Sequence, residues 1–294
     1  MDELAGGTAV ITGAGSGIGR SLAVRFGGAG MRVVGGDIEV PNLDGTAELV
    51  GAAGGEMITA PCDVTSPADQ EALRDLALSE FGRIDLVCNN AGVGGPNGRS
   101  PHELLVEDYE WVLGVDLWGV IHGVRTFLPL LIEQDAGHMV NTASLAGLTS
   151  GASLSAAYYV AKHGVVALSE SIFHDLSARG SNVGVSVLCP GFVDTTILSD
   201  AHRRPESLTP PGGVPSTEDQ ERIEAAMREL LSAGHSPDFV AEAVHEAVLA
   251  GDFYIFTQDD AMPVIAARHR AIEQAGFPPM GRMDQGLLGG GSGS

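Results

Sequence analysis

Short apolar runs alternate with longer amphipathic segments along most of the chain. The segments have helical length, and they predict helices near residues 17–29, 42–52, 67–82, 107–134, 156–179 and 237–250. The apolar runs have strand length and lack internal alternation, which is typical of strands buried on both faces of a parallel sheet. They lie at 8–12, 32–37, 57–61, 84–89, 138–143, 183–189 and 253–257. The pattern predicts an α/β fold with a doubly wound, seven-stranded parallel sheet and helices on both faces.

One segment, 196–235, interrupts this alternation of strand-like and helix-like segments. It begins with many Pro, Gly, Ser and Thr residues and ends in a helix-like stretch. Because it follows the sixth strand directly, we expect an insertion over the carboxyl edge of the sheet, a substrate lid at about 195–236. The remaining chain shows no boundary, so residues 1–288 are predicted to form a single domain. The last residues, 289–294, resemble an artificial linker and are left out of the fold.

Composition excludes several classes of function. The formal net charge of −22 disfavours nucleic acids and anionic membranes as partners. The cysteines are far apart and each closes an apolar run, which indicates buried free thiols in a reducing cytoplasm and no metal site; they are Cys62, Cys88 and Cys189. No basic and apolar leader and no apolar run of membrane length is found. A soluble, cytoplasmic protein is expected.

A glycine-rich run, TGAGSGIG at 12–19, follows the first predicted strand directly. Gly13 allows a tight turn, Gly17 allows the backbone to approach a pyrophosphate, and Gly19 allows the next helix to pack on the strand. The positive end of that helix would face the phosphates. Alone, such a run could be a simple strand-to-helix turn. Its position at the first strand–helix junction favours a dinucleotide site and hence a Rossmann-type domain.

An acidic residue, Asp37, closes the second predicted strand. A carboxylate there can accept hydrogen bonds from the adenosine ribose and repel a 2′-phosphate. The next residues, Ile38 and Glu39, provide no cation for that phosphate. We therefore predict NAD rather than NADP as cofactor, although an ordinary solvated acid at a strand end is the alternative.

The stretch AAYYVAKHG, 156–164, contains Lys162, the only lysine among 16 Lys and Arg residues. On a helix, Tyr158 and Lys162 project from one face. A fixed positive charge beside a phenol favours the phenolate and lowers its pKa, so that Tyr158 could act as general acid or base near neutral pH. The alternative is a packing tyrosine beside a surface lysine. Ser144 directly follows the fifth predicted strand, where its hydroxyl could stabilise an alkoxide or merely cap a loop.

Several motifs occur together and in order: the glycine run, CDV at 62–64, NNAG at 89–92, Ser144 fourteen residues before Tyr158, YYVAK at 158–162 and PGFVDT at 190–195. In this combination the chain resembles the short-chain dehydrogenase/reductase family over about residues 6–257. The resemblance implies an enzyme that moves a hydride between NAD(P) and an alcohol or ketone carbon. It also implies a small-molecule alcohol or ketone as substrate and a homo-oligomer, a tetramer or dimer.

The resemblance also implies roles for individual residues. Tyr158 would be the proton donor and acceptor, Lys162 would lower its pKa and hold the nicotinamide ribose, and Ser144 would bind the substrate oxygen. The expected cofactor contacts are Gly13, Ser16, Gly17, Ile18, Gly19, Asp37, Asp63, Val64, Asn90, Ala91, Gly92, Tyr158, Lys162, Pro190, Gly191, Val193 and Thr195.

One position departs from the family pattern. Asp116 stands where the family usually has an asparagine that supports a water beside the catalytic lysine. Its charge would disfavour the phenolate of Tyr158, unless the carboxylate is turned away and binds backbone N–H groups. Either way, Asp116 is a candidate member of the proton relay.

The substrate pocket should be walled by the loops 93–104, 145–155 and 196–215, which supply mainly small and apolar residues. A neutral, fairly apolar substrate is expected. Arg203 and Arg204 could bind a carboxylate, but surface solvation is the commoner role of such a pair. Three functions stay open: an NAD-dependent alcohol dehydrogenase or ketone reductase, an NAD-using epimerase or dehydratase, and a nucleotide-binding protein without turnover.

Overall fold

Seven parallel strands form the centre of the structure, a computed structural model that describes residues 4–150, 155–210, 212, 217–258 and 261–279. The strands are β1 Thr8–Thr12, β2 Arg32–Asp37, β3 Glu56–Pro61, β4 Leu86–Asn89, β5 His138–Thr142, β6 Gly184–Cys189 and β7 Tyr254–Phe256. Their order is β3-β2-β1-β4-β5-β6-β7, and every neighbouring pair is parallel. The predicted seven-stranded, doubly wound sheet is confirmed.

Helices connect the strands: α1 Gly17–Gly28, α2 Val40–Ala52, α3 Pro67–Phe81, α4 Val106–Leu113, α5 Gly119–Gln134, α6 Ala156–Arg179, α7 Glu218–Ser232, α8 Pro237–Ala250 and α9 Ala261–Glu273. Local signals set several of their ends. Ser66 and Ser236 cap α3 and α8, each with proline as the first helical residue. Gly82 and Gly251 end the same two helices in the left-handed conformation. The sequence did not predict α9.

Side chains along each central strand alternate between the two faces of the sheet. In β1, Ala9 and Ile11 pack against α1, α2 and α8, whereas Val10 packs against α3, α5 and α6. Both faces are therefore buried, which explains why the strands read as continuous apolar runs. The three cysteines are buried free thiols, as predicted.

The predicted helix 107–134 is divided into α4 and α5 by a π-helical turn, Gly114–Trp118. The predicted helix is therefore present as one continuous helical run, and only the wider turn inside it could not be shown by a periodicity of 3.6 residues. The whole run, Val106–Gln134, has the length and composition of a membrane-spanning helix. Its buried side chains, among them Phe127 and Leu131, pack in the core beside the sheet, which accounts for that composition.

The sheet extends from β1 in two directions, through β2 and β3 on one side and through β4 to β7 on the other, so the strand order reverses between β1 and β4. At such a switch point the connecting loops diverge and leave a crevice at the carboxyl ends of the strands. The glycine run after β1, Asn90 after β4, Ser144 after β5 and Pro190 after β6 all lie at this edge.

Candidate active site

A cavity of about 320 Å³ lies at the carboxyl edge of the sheet and is lined by the residues predicted to bind the cofactor. All of them except Gly19 line it. Ser144 lines it as well. The lid contributes Ile197, Arg203, Pro205, Leu208 and Leu231, and all but Leu231 belong to the loop 196–215 that was predicted to wall the substrate pocket.

The glycine run has the backbone that its sequence predicted. Gly13 and Gly17 have φ angles of +67° and +50°, in the region that favours glycine. A Cβ atom on Gly13 would lie 2.8 Å from the Cα atom of Ala91, and one on Gly19 would lie 2.0 Å from the carbonyl oxygen of Gly13. Gly19 therefore allows α1 to pack close to β1 rather than contacting a ligand. The open turn beside the start of α1 fits a pyrophosphate.

Asp37 lies at the end of β2, in the wall of the cavity. Its Oδ2 atom accepts the backbone N–H of Gly15 at 2.9 Å, and its Oδ1 atom accepts that of Glu39 at 3.0 Å. The carboxylate is thus oriented by backbone on both sides and still borders the cavity. This fits the predicted contact with an adenosine ribose.

The residues next to Asp37 in sequence provide no cation, but a distant segment brings one to the same cavity. Arg203 of the lid lines the same cavity and forms an ion pair with Glu39, and His202 Nε2 lies 3.0 Å from the other carboxylate oxygen. Partial burial raises the pKa of Glu39, but His202 and Arg203 outweigh burial and lower it. The sequence could not show this contact because the partners are 164 residues apart.

Arg204 differs from the solvated arginine that was expected. It donates to Asp108 at 2.6 Å, and both side chains are almost inaccessible. Its guanidinium also lies 5.5 Å from the ring centre of Trp111. Asp108 in turn accepts the backbone N–H of Leu105 and caps α4. Arg204 therefore fixes the lid to α4 and is not available to a substrate carboxylate.

The floor of the cavity is held by hydrogen bonds of its own. Asn90 donates its side-chain amide to the carbonyl oxygen of Thr12 at 3.0 Å, which joins the ends of β4 and β1. Asp63 accepts the N–H of Thr65 at 2.9 Å and donates its own N–H to Asp69. The backbone at these positions is therefore fixed before any ligand binds.

Ser144, Tyr158 and Lys162 meet where the cavity reaches β5. Ser144 precedes a short helical turn and its hydroxyl accepts the N–H of Ala146 at 3.1 Å. Ser144 and Tyr158 line the cavity together, and the Ser144 hydroxyl lowers the pKa of the tyrosine. Lys162 follows Tyr158 by one turn of α6, and its Nζ atom lies 5.4 Å from the tyrosine ring centre. The predicted proximity of a phenol, a hydroxyl and an ammonium is present.

Asp116 faces Lys162 directly. Its Oδ2 atom lies 3.1 Å from Lys162 Nζ, and the two side chains are 0% and 3% exposed. Its Oδ1 atom accepts the backbone N–H of Val93 at 2.7 Å. The alternative of a carboxylate turned away from the lysine was wrong, although its expected backbone contact exists on the other oxygen. Lys162 also donates to the carbonyl oxygen of Thr142 at 3.2 Å.

The pKa of Tyr158 is raised, not lowered as the sequence suggested. Burial has the largest effect and disfavours the phenolate. Lys162 and the Ser144 hydroxyl lower the pKa, whereas Asp116 raises it. The negative charge of Asp116 offsets part of the effect of Lys162. The lysine therefore does not bring the pKa of Tyr158 into the neutral range.

A second cavity, of about 180 Å³, adjoins the first. Ser144 and Tyr158 line both. The predicted loops contribute Gly94, Asn97, Leu145, Ala146, Thr149, Ser155, Ile197 and Leu198; residues 151–154, 211 and 213–215 of those loops lie outside the described residues. The sequence did not indicate Met227 and Leu231 of α7, or Gln258 after β7, which also line it.

Asp200 is a further residue that the sequence did not indicate. It is buried in the lid and accepts the N–H of Gly94 at 2.6 Å. Burial raises its pKa to about 6, against the lowering effect of that hydrogen bond. No local pattern could have found it, because its partner lies 106 residues away.

Comparisons with known proteins agree with this geometry. The family model of the short chain dehydrogenases matches residues 7–206. The chain is similar to 1-deoxy-11-beta-hydroxypentalenate dehydrogenase from Streptomyces exfoliatus, with 37% identity over 86% of this chain and 83% of the relative. It is also similar to the CLA biosynthesis dehydrogenase/reductase of Lactiplantibacillus plantarum, with 30% identity over 93% of this chain and 96% of the relative.

Solved structures show the same fold. A short-chain dehydrogenase/reductase from Burkholderia phymatum in complex with NAD has a TM-score of 0.90 and 39% identity, over 96% of this chain and 99% of the other. A metagenomic short-chain oxidoreductase in complex with NADP has a TM-score of 0.65 and 27% identity, over 86% and 96%. The matched motifs, the sheet and these relatives agree, and the chain belongs to the short-chain dehydrogenase/reductase family.

Proposed function

We propose that this protein is an NAD-dependent oxidoreductase that interconverts a secondary alcohol and a ketone, with Tyr158 as general acid and base. The observation that supports this most is the position of Ser144 and Tyr158, which line both cavities. Groups that border a nucleotide groove and a substrate pocket at once can act on the atoms that react between them.

The chain's own residues account for the proton chemistry. When bound, NAD would supply the carbon that accepts or donates the hydride. The hydroxyl of Ser144 would hydrogen-bond the substrate oxygen and stabilise the charge that develops there. Tyr158 would take the hydroxyl proton in alcohol oxidation and return one to the oxygen in ketone reduction. Lys162 would stabilise the phenolate between these steps.

Because the pKa of Tyr158 is raised, the favoured direction of the proposed reaction should depend on pH. Below that pKa, Tyr158 keeps its proton. The protonated phenol is the form that can protonate the carbonyl oxygen during ketone reduction. Alcohol oxidation needs the phenolate, and its rate should therefore rise as the pH increases into the alkaline range. Ketone reduction should be favoured near neutral pH.

NAD is the cofactor that the adenosine end of the groove favours. The carboxylate of Asp37 borders the groove and carries the charge that repels a 2′-phosphate. The similar Burkholderia phymatum protein was solved in complex with NAD, which agrees with this assignment. A cytoplasmic homo-oligomer stays part of the proposal, and size-exclusion chromatography tests its oligomeric state.

The second cavity favours an uncharged, largely apolar substrate. Its described lining contains no Lys, Arg, His, Asp or Glu side chain, and its polar groups are hydroxyls and amides. A carboxylate buried there would have no partner. The related Streptomyces exfoliatus protein is named for a hydroxypentalenate, a hydroxy carboxylate, whereas the described lining of this cavity offers no cation to such a carboxylate. We therefore propose a neutral, largely apolar secondary alcohol for this chain.

The test is absorbance at 340 nm with NAD and a panel of neutral secondary alcohols at pH 9. We expect NADH to accumulate, and Tyr158→Phe to abolish it. Tyr254→Phe is the matched control, because Tyr254 is exposed at β7 and pairs with Glu170 away from both cavities. Conversion without net NADH would instead indicate an epimerase or dehydratase. Nucleotide binding without any conversion would indicate a non-catalytic protein.

A further inference from the structure

The lid brings cationic side chains to the adenosine end of the nucleotide groove. His202 and Arg203 lie on a short helical turn, Ala201–Arg203, directly after buried Asp200. Arg203 lines the groove together with Asp37 and Ile38. A guanidinium in this position is the kind of group that binds a phosphate through two parallel hydrogen bonds.

Glu39 neutralises the charge of Arg203 by forming an ion pair with it. Its Oε2 atom accepts from Arg203 Nη2, and its Oε1 atom lies 3.0 Å from His202 Nε2. The side chains of Arg203 and Glu39 are 16% and 26% exposed, so the pair is only partly screened by water. The Nε atom of Arg203 is buried and has no hydrogen-bond partner among the described residues. The charge of Arg203 at this end of the groove is therefore balanced by Glu39.

We propose that Glu39 is a specificity-determining residue, which keeps Arg203 from binding a phosphate on the 2′-oxygen of the adenosine ribose. This inference rests on the proposed function in one respect, that the groove binds an adenine nucleotide. Asp37 opposes a 2′-phosphate directly through its own charge. Glu39 acts through Arg203, by occupying the guanidinium and by adding a second negative charge to the same end of the groove.

Glu39→Gln separates these effects, because the amide keeps the size of the side chain but removes its charge. The amide binds the guanidinium more weakly, and Arg203 becomes available to an anion in the groove. Asp37 is unchanged in this variant and still opposes the phosphate. A measurable but limited gain in affinity for a 2′-phosphate is therefore expected.

The measurement is isothermal titration calorimetry with adenosine 2′,5′-bisphosphate and adenosine 5′-monophosphate as probes. The reported quantity is the ratio of their two dissociation constants, because any general loosening of the lid affects both probes. In Glu39→Gln the ratio should shift about tenfold in favour of the bisphosphate, which corresponds to about one additional charge-assisted hydrogen bond. Glu48→Gln, an exposed position further along α2, is the matched control and should leave the ratio unchanged.

Arg203→Ala in both backgrounds identifies the cation. In the Glu39→Gln background it should return the ratio to the wild-type value. In the wild-type background it should change the ratio less than twofold, about 0.4 kcal/mol, because the guanidinium is already occupied. A ratio that does not respond to Glu39→Gln would overturn the proposal. An equal change of this ratio on Arg203→Ala in both backgrounds would also overturn the proposal, because Glu39 would then not control the arginine.

The experiment also distinguishes this inference from the proposed function. A protein that binds adenosine 5′-monophosphate but forms no NADH from any alcohol would contradict the proposed function alone. A protein that forms NADH, and whose binding ratio is unaffected by Glu39→Gln, would contradict the inference alone.

Discussion

Replacing Asp116 with asparagine tests whether the buried carboxylate sets the pH range of the enzyme. Asparagine keeps the size of the side chain and an Oδ1 atom that can accept the N–H of Val93, now 2.7 Å away. It removes the negative charge 3.1 Å from Lys162 Nζ. The variant should fold and stay active, because the backbone contact that orients the residue is preserved.

The structure gives the size of the effect. Lys162 Nζ lies 3.1 Å from Asp116 Oδ2 and 5.4 Å from the ring centre of Tyr158, so the carboxylate is at most about 8.5 Å from the ring centre. At that distance and an effective dielectric constant of about 20, one charge changes the phenolate energy by about 2 kcal/mol, or about 1.4 pKa units. Lys162 also loses its partner, which weakens its own ammonium form. A net decrease of about 0.5 to 1 unit in the pKa of Tyr158 is expected.

The assay is the pH dependence of kcat/KM for alcohol oxidation, which rises as Tyr158 loses its proton. Removing a negative charge favours the phenolate, so this rise should move to lower pH by about 0.5 to 1 unit in Asp116→Asn. Asp200→Asn is the control for removal of another buried carboxylate, one that lines neither cavity, and thermal unfolding of each variant reports on folding. An unchanged profile would refute the electrostatic reasoning. Complete loss of activity in a folded variant would mean that the carboxylate itself carries the proton.

Three further predictions concern the site and the attachment of the lid to α4. Lys162→Arg should keep the fold but lose most turnover, because the bulkier guanidinium displaces the charge and its contacts; near-normal kcat would contradict the role given to the lysine. Catalytic efficiency with NAD should exceed that with NADP by at least about tenfold, about 1.4 kcal/mol, and equal steady-state efficiencies would refute the role of Asp37. Arg204→Met leaves the buried carboxylate of Asp108 without its cation, and should reduce the free energy of unfolding by about 3 kcal/mol in urea titrations. Adding Asp108→Asn should recover part of that loss, whereas a loss below about 1 kcal/mol in the single variant would show that the pair is not structural.

The sequence alone determined the sheet and the nucleotide groove. Strand and helix periods are local signals, and burial on both faces made the strands continuous apolar runs. The glycine run could be interpreted because backbone conformation at Gly13 and close packing at Gly19 depend on the absence of a side chain, which is a property of the residue itself. Asp37, Ser144 and Tyr158 lie at the ends of elements that the periodicity had already placed, so their common edge followed from the parallel order of the strands.

Only the tertiary structure decided which charged groups lie next to those residues. Asp116 lies on the π-helical turn between α4 and α5, which no 3.6-residue pattern shows, and it meets Lys162 of α6. Glu39 meets Arg203 across 164 residues, and Arg204 meets Asp108 across 96. Each pair joins elements that are distant in sequence, where composition gives no information on which charges become partners. The pKa of Tyr158 depends on burial and on the sum of such fields, and a sequence shows neither.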